Sequence, residues 1–234
     1  MLTVQRLSYR YPDGTPALHD INLQIAAGEK VALLGPNGAG KSTLLLHLNG
    51  VLRGQDGSVV IDGLTVNDQH IRTVRARVGM VFQDPDDQLF SPTVFDDVAF
   101  GPIHMGLQRA EVEARVERAL AQVGMAGNEQ RMPHHMSLGQ RKRVAIATVL
   151  SMSPTLLALD EPSAGLDPRA RRGLIELLQE LPLAMLVSTH DMRMVAEVFP
   201  RTIVLSQGRI VADAATTTLL ADVELLERYG LERP

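Results

Sequence analysis

A chain of 234 residues, 45% of them hydrophobic, suits one large α/β domain or a core with a smaller subdomain, and can bury enough surface to fold unaided. Cysteine is absent, which excludes disulfides and thiolate metal sites. The formal charge of −4, from 23 Lys and Arg against 27 Asp and Glu, argues against generic nucleic-acid binding, which needs a basic surface.

The first ten residues carry no charged segment followed by an apolar one, so no secretory signal is expected. Residues 2–10 and 17–25 alternate as strands around the turn Tyr11-Pro12-Asp13-Gly14-Thr15. Residues 30–34 read as a short apolar strand, and a helix is predicted from Lys41 to about Asn49, stopped by Gly50. Short strands follow near 58–61 and 78–82.

From about 84 to 150 the texture turns helical. Thr93 can cap a helix through Phe100, residues 109–123 carry apolar side chains at helical spacing, and Ser137 can cap a helix through Ser151. The longest apolar run, 144–150, is far short of the roughly 20 residues that span a membrane. Work at a membrane therefore requires a partner. Strands return at 155–159, 184–188, 202–205 and 209–212, with helices at 168–180 and 191–197 between them and a small helix capped within Thr216-Thr217-Thr218. That alternation predicts a parallel sheet with crossover helices. The expected division is a core of 1–83 and 151–234, with 84–150 an inserted helical subdomain.

Gly35-Pro36-Asn37-Gly38-Ala39-Gly40-Lys41-Ser42-Thr43 follows an apolar strand and opens a helix, matching G-x-x-x-x-G-K-[ST] in full. Glycines let successive N–H groups curl around a phosphate, and a helix N-terminus adds about half a positive charge. Lys41 can then reach the β- and γ-phosphates of ATP, and the Ser42 hydroxyl can ligate Mg²⁺. Leu156-Leu157-Ala158-Leu159-Asp160-Glu161 is an apolar strand ending in two carboxylates. Its end delivers Asp160 to the metal, while Glu161, one residue on, can face a water behind the γ-phosphate as general base. His190 follows a second apolar strand and can hydrogen-bond the γ-phosphate or the attacking water.

With these elements in order, the sequence resembles the ABC transporter ATPases. The stretch Met136-Ser137-Leu138-Gly139-Gln140-Arg141-Lys142-Arg143-Val144-Ala145-Ile146-Ala147 is similar to the L-S-G-G-Q signature and its helix. Gln83 stands at the Q-loop, Ser163-Ala164-Gly165-Leu166-Asp167 at the D-loop, and His190 at the switch histidine. Kinases and simple GTPases lack this set. The resemblance covers nearly the whole chain and implies a RecA-like P-loop core with an N-terminal antiparallel β subdomain and an inserted helical subdomain.

It also implies site residues. ATP and Mg²⁺ are expected on Asn37 through Thr43, with the metal near Ser42, Gln83 and Asp160 and catalysis at Glu161, His190 and Gln83. In a two-fold dimer each copy presents Ser137, Gly139 and Gln140 to its partner's ATP, and Asp167 helps position the facing subunit. Leu138 stands where the signature has its first glycine, so it fits only if its side chain points away from the nucleotide. The family places an aromatic under the adenine; Tyr11 is the candidate, with Tyr9 its rival on the same strand face.

Val81-Phe82-Gln83-Asp84-Pro85-Asp86-Asp87-Gln88-Leu89-Phe90 resembles the Q-loop of energy-coupling factor importers, and Arg131-Met132-Pro133-His134-His135 looks most similar to their cobalt and nickel branch. The resemblance implies a transmembrane coupling component, gripped around Gln88 to Phe100, and a substrate-binding membrane component, with this chain peripheral on the cytoplasmic face of the membrane. His134 and His135 are expected to be surface or capping residues, since adjacent side chains do not usually converge on one ion. The short tail after Val211 favours a homodimer. Import of a vitamin or other small solute is the alternative within the class. A soluble ABC regulator, the alternative outside it, would bring paired cassettes, long heptads or basic arms.

Overall fold

The computed structural model describes residues 1–54 and 56–231. In chain order, β1 (Leu2–Arg10), β2 (Pro16–Ile25), β3 (Lys30–Leu34), α1 (Lys41–Leu48), β4 (Asp56–Ile61), β5 (Leu64–Thr65), α2 (Ile71–Arg77) and β6 (Val78–Val81) form the first part. The helices α3 (Val94–His104), α4 (Arg109–Gln122) and α5 (Leu138–Leu150) follow. The chain then alternates through β7 (Leu156–Asp160), α6 (Pro168–Glu180), β8 (Ala184–Ser188), α7 (Met192–Val198), β9 (Arg201–Ser206), β10 (Arg209–Ala215), α8 (Thr216–Ala221) and α9 (Val223–Arg228).

Two sheets result. One is antiparallel, in the order β2-β1-β4-β5; the other runs β10-β9-β3-β8-β7-β6, parallel except for the β9–β10 pair. The central strands are buried on both faces, as the apolar runs require. Alternate residues feed two cores. Val31, Leu33, Leu156, Ala158 and Leu186 pack with α1 and the antiparallel sheet. Ala32, Leu34, Leu157, Leu159 and Val187 pack with the helices on the other side, so α3, α4 and α5 share one continuous apolar cluster with the parallel sheet.

Most predicted ends hold within a residue or two, and the differences have local causes. The helix α2 is absent from the sequence reading because only Val74 of its seven residues is buried, too little for a helical period. α3 passes through Pro102 and continues to His104. Proline removes the N–H that would bond the Val98 carbonyl, and the buried Ser151 hydroxyl lies 2.8 Å from that oxygen instead, and also 2.8 Å from Thr148 O. Thr93 caps α3 as expected, its Oγ1 accepting from Asp96 N. The threonine cap at the tail is corrected: Thr216 is already helical, and its hydroxyl pairs with Thr202 Oγ1 at 2.7 Å. Among the described residues no helix is long and apolar enough to cross a membrane.

Candidate active site

The carboxyl ends of β3, β8, β7 and β6 lie side by side, so the segments leaving them converge on one edge of the sheet. β3 delivers Gly35 to Lys41, β8 delivers Thr189 and His190, β7 delivers Asp160 and Glu161, and β6 leads to Gln83. Tyr11, Asn37 through Thr43, Gln83, Asp160 and Glu161 line an open cleft of about 360 Å³ together with Thr15, Pro16 and Ala17.

Glycine is required at two points of the loop. Gly35 has φ +148°, and a Cβ there would stand 2.0 Å from Leu205 O. Gly40, at φ +103°, would bring a Cβ within 2.7 Å of Ala17 O. Gly40 is also the N-cap of α1, and no side chain caps that helix. The first-turn N–H groups therefore face the cleft without a side-chain acceptor, a fit to phosphate oxygens.

Lys41 is buried in this edge. Its Nζ donates to Gly35 O at 2.6 Å and Pro36 O at 3.2 Å, and lies 3.3 Å from His190 Nε2. Burial lowers the ammonium's proton affinity, and the charges of Glu161 and Asp160 offset this in part. An ammonium only donates, so in this contact His190 Nε2 is the acceptor. The same nitrogen is 3.2 Å from Glu161 Oε1, an approach of two acceptors rather than a hydrogen bond. The His190 N–H donates to Glu161 Oε2 at 3.2 Å.

Glu161 has left-handed backbone, φ +43°, which costs a non-glycine residue on the order of 1–3 kcal/mol. Its N–H donates to Ser188 O at 3.0 Å and lies 3.1 Å from Ser188 Oγ. The Ser188 hydroxyl donates in turn to Asp160 Oδ1. The Asp160 carboxylate and the Glu161 main chain thus both hang on a buried serine that the sequence reading missed. Its only sequence signal is a small polar residue closing an apolar strand.

The two tyrosines differ in position. Tyr9 is buried, its ring edge-on to His47 at 4.8 Å. Tyr11 lines the cleft, and its hydroxyl sits 2.8 Å from Thr43 Oγ1.

Ser137, Gly139 and Gln140 are not brought to this cleft. They line a separate shallow one with Arg143, Asp167, Arg169 and Arg172. Ser137 and Gln140 form a reciprocal cap at the start of α5: Gln140 N donates to Ser137 Oγ, and Ser137 N to Gln140 Oε1. Leu138 is not among the lining residues and packs toward the D-loop, where a Cβ on Gly165 would lie 3.0 Å from Leu138 Cδ2. Asp167 caps its own helix, accepting from Arg169 N and Ala170 N, each at 2.9 Å.

Residues 18–164 match the family model described as ABC transporter. The chain belongs to the ABC transporter family. It has the ABC ATPase fold, binds ATP, and is an ATP-hydrolysing subunit. A putative ABC transporter ATP-binding protein of Streptomyces avermitilis is 55% identical, covering 100% of this chain and 89% of the relative. The energy-coupling factor transporter ATP-binding protein EcfA of Methanothermobacter thermautotrophicus is 50% identical, covering 100% of this chain and 77% of that protein. Among solved structures, cbiO1 from Clostridium perfringens, part of the ABC transporter complex cbiONQ, is 40% identical with a TM-score of 0.85, covering 97% and 93% of the two chains. The cassette MJ0796, a dimer in a post-hydrolysis state bound to ADP and Pi, is 27% identical with a TM-score of 0.81, covering 92% and 99%.

In this ABC ATPase the segment after the Q-loop is tied to the signature helix. Gln88 accepts from Phe82 N at 3.2 Å and donates to Ala145 O and Thr148 Oγ1, each at 2.8 Å, while Arg141 pairs with Asp86 at 3.2 Å. Gln88 is thus an internal tie. The surface beyond it is apolar: Phe90 is 68% exposed and meets Phe100 edge-on at 5.1 Å, with Ile103 and Met105 also exposed. His134 and His135 are exposed and pack edge-on to each other at 4.3 Å.

Proposed function

We propose that this subunit powers an energy-coupling factor importer for cobalt or nickel ions, sitting peripherally on the cytoplasmic face of the membrane. The observation that carries the coupling role is the exposed face of Phe90, Phe100, Ile103 and Met105, wired through Gln88 to the helix of the signature. A patch of this kind marks an interaction surface, and a cytoplasmic helix of a transmembrane coupling component fits it. The metal assignment rests on the likeness to cbiO1 and on the segments 81–90 and 131–135.

The site supports a division of labour. Tyr11 stacks under the adenine, and Asn37, Gly38, Ala39, Gly40, Lys41, Ser42 and Thr43 hold the phosphates. Ser42, Asp160 and Gln83 line one cleft with the oxygen donors Mg²⁺ prefers. When bound there, Mg²⁺ neutralises charge on the β- and γ-phosphates. Glu161 orients the attacking water and takes its proton, while His190 and Gln83 complete the γ-phosphate surroundings. Because Ser137, Gly139 and Gln140 face a different cleft, they serve the ATP of a second copy in a head-to-tail homodimer.

The test is co-purification of the tagged chain from detergent-solubilised native membranes, with partners identified by mass spectrometry. A multi-helix coupling protein and a second membrane component whose addition gives ATP-dependent cobalt or nickel uptake would support the reading. A vitamin-binding component would replace the substrate and keep the coupling. Ribosomal or DNA-repair partners alone would overturn the transport role.

A further inference from the structure

The helix α5 touches the active site away from its N-terminus, which lines the separate cleft. Its N-terminus carries the signature residues, and in its second turn Lys142 points inward. Lys142 is 5% exposed, whereas its basic neighbours Arg141 and Arg143 are only half-buried. Each neighbour is engaged elsewhere, Arg141 pairing with Asp86 and Arg143 donating to Val123 O at 2.8 Å. Lys142 Nζ donates to the main-chain carbonyl of Glu161 at 3.2 Å. A buried ammonium is costly unless something compensates it. Here burial weakens its hold on the proton, and the charges of Asp84 and Glu161 offset this in part.

The recipient of that bond is the strained residue of the site. The carbonyl of Glu161 takes Lys142 and, at 3.1 Å, Ala164 N; its N–H is held by Ser188. A left-handed non-glycine residue persists only where its surroundings over-determine it. Losing the bond that crosses from another element lets the peptide after Glu161 rotate. The carboxylate then swings relative to Lys41 and His190, and small misplacements at a reacting centre are expensive.

We propose that Lys142 is a positioning residue for ATP hydrolysis: held by α5, its ammonium fixes the Glu161 carbonyl and so aims the Glu161 carboxylate into the phosphate cleft. This rests on the reading of Glu161 as the group that orients water. It predicts a loss in turnover without a loss in nucleotide binding, which a general packing role would not give.

The experiment measures ATP hydrolysis by the full-length chain in its membrane complex, with binding of a fluorescent ATP analogue and thermal unfolding alongside. K142M is expected to lower kcat about tenfold or more while KM and analogue affinity stay within about twofold. K142R should recover at least about half of kcat, because it restores a cationic donor. In an E161Q background, K142M should leave analogue affinity within about twofold of E161Q alone. Should K142M prove unfolded at the assay temperature, K142Q, which keeps an amide donor, should show the same split with a smaller loss. A near-normal kcat in K142M, or a parallel fall in kcat and analogue affinity, would overturn the proposal while a dead E161Q leaves the glutamate reading intact. Normal turnover in E161Q would sink the glutamate reading itself, and this inference with it.

Discussion

Lys41 Nζ and His190 Nε2 stand 3.3 Å apart, joining the loop after β3 to the end of the neighbouring strand β8. Of the two, Lys41 lines the cleft with the rest of its loop. The other partners of the ammonium are carbonyls of its own loop, Gly35 and Pro36.

That arrangement separates binding from folding. Lys41→Ala should weaken ATP by about 10–100-fold, the worth of a charge-assisted contact of about 1.5–3 kcal/mol. The unfolding temperature should change little. Titration with a fluorescent ATP analogue checks the first, and unchanged affinity would contradict the phosphate-loop reading.

Glu161→Gln should leave an ATP-bound dimer with turnover reduced on the order of 10²–10⁴-fold, the usual cost of losing a general base. Size-exclusion chromatography with ATP, run beside a hydrolysis assay, reads both outcomes. Normal hydrolysis would remove Glu161 from its assigned role.

Much of this site was legible because its chemistry is local in sequence. The loop 35–43 is contiguous, and Asp160, Glu161 and His190 each close an apolar strand, so a parallel sheet brings them to one edge. What the sequence could not show is long-range and carried by side chains without a distinctive neighbourhood. Ser188 reads as the last residue of a strand, and Lys142 as the middle of a basic triplet on a helix face. Only folding shows that one holds the Asp160 carboxylate and the Glu161 main chain and that the other is buried. The pairing of Ser151 with Val98 hides for the same reason, the two lying 53 positions apart. α2 was missed for a different one, since a short Arg-rich helix with one buried residue has almost no hydrophobic period.

Leu138 is compatible with the signature because its side chain leaves the cleft and covers Gly165 of the D-loop. Leu138→Gly should lower stability by about 1–2 kcal/mol, from added chain entropy in the first turn of α5 and a partly buried side chain lost. Urea unfolding measures it. ATP-analogue affinity of the monomer should not change, because its cleft lies elsewhere; a large drop would place Leu138 at the nucleotide.

The Ser151 hydroxyl answers a carbonyl that Pro102 leaves without its helical donor. Ser151→Ala should cost about 1–3 kcal/mol, the penalty of an unsatisfied buried acceptor. In Pro102→Ala the restored N–H can bond Val98 O, so the same serine substitution should cost clearly less. A double-mutant cycle by urea unfolding reads this coupling, and strict additivity would show that Ser151 acts through its other contact, Thr148 O.

Asp97 supports the segment that carries the exposed Phe90 from beneath. Its Oδ1 accepts from Phe90 N at 3.1 Å and Ser91 N at 2.9 Å, while Oδ2 is buried without a partner. Burial raises this carboxyl above its ordinary 3.8, against the lowering effect of those N–H groups. The folded protein therefore keeps the proton over a range where the unfolded chain has released it. Its contribution is most favourable below the ordinary value and is lost as pH climbs through the raised one. Asp97→Asn retains an oxygen for both N–H groups and removes the charge. The variant's stability relative to the unsubstituted protein should rise between about pH 4 and about pH 7.5, measured by urea unfolding at each. A difference that stays flat, or falls, across that interval would mean that the Asp97 carboxylate is not destabilised by its burial.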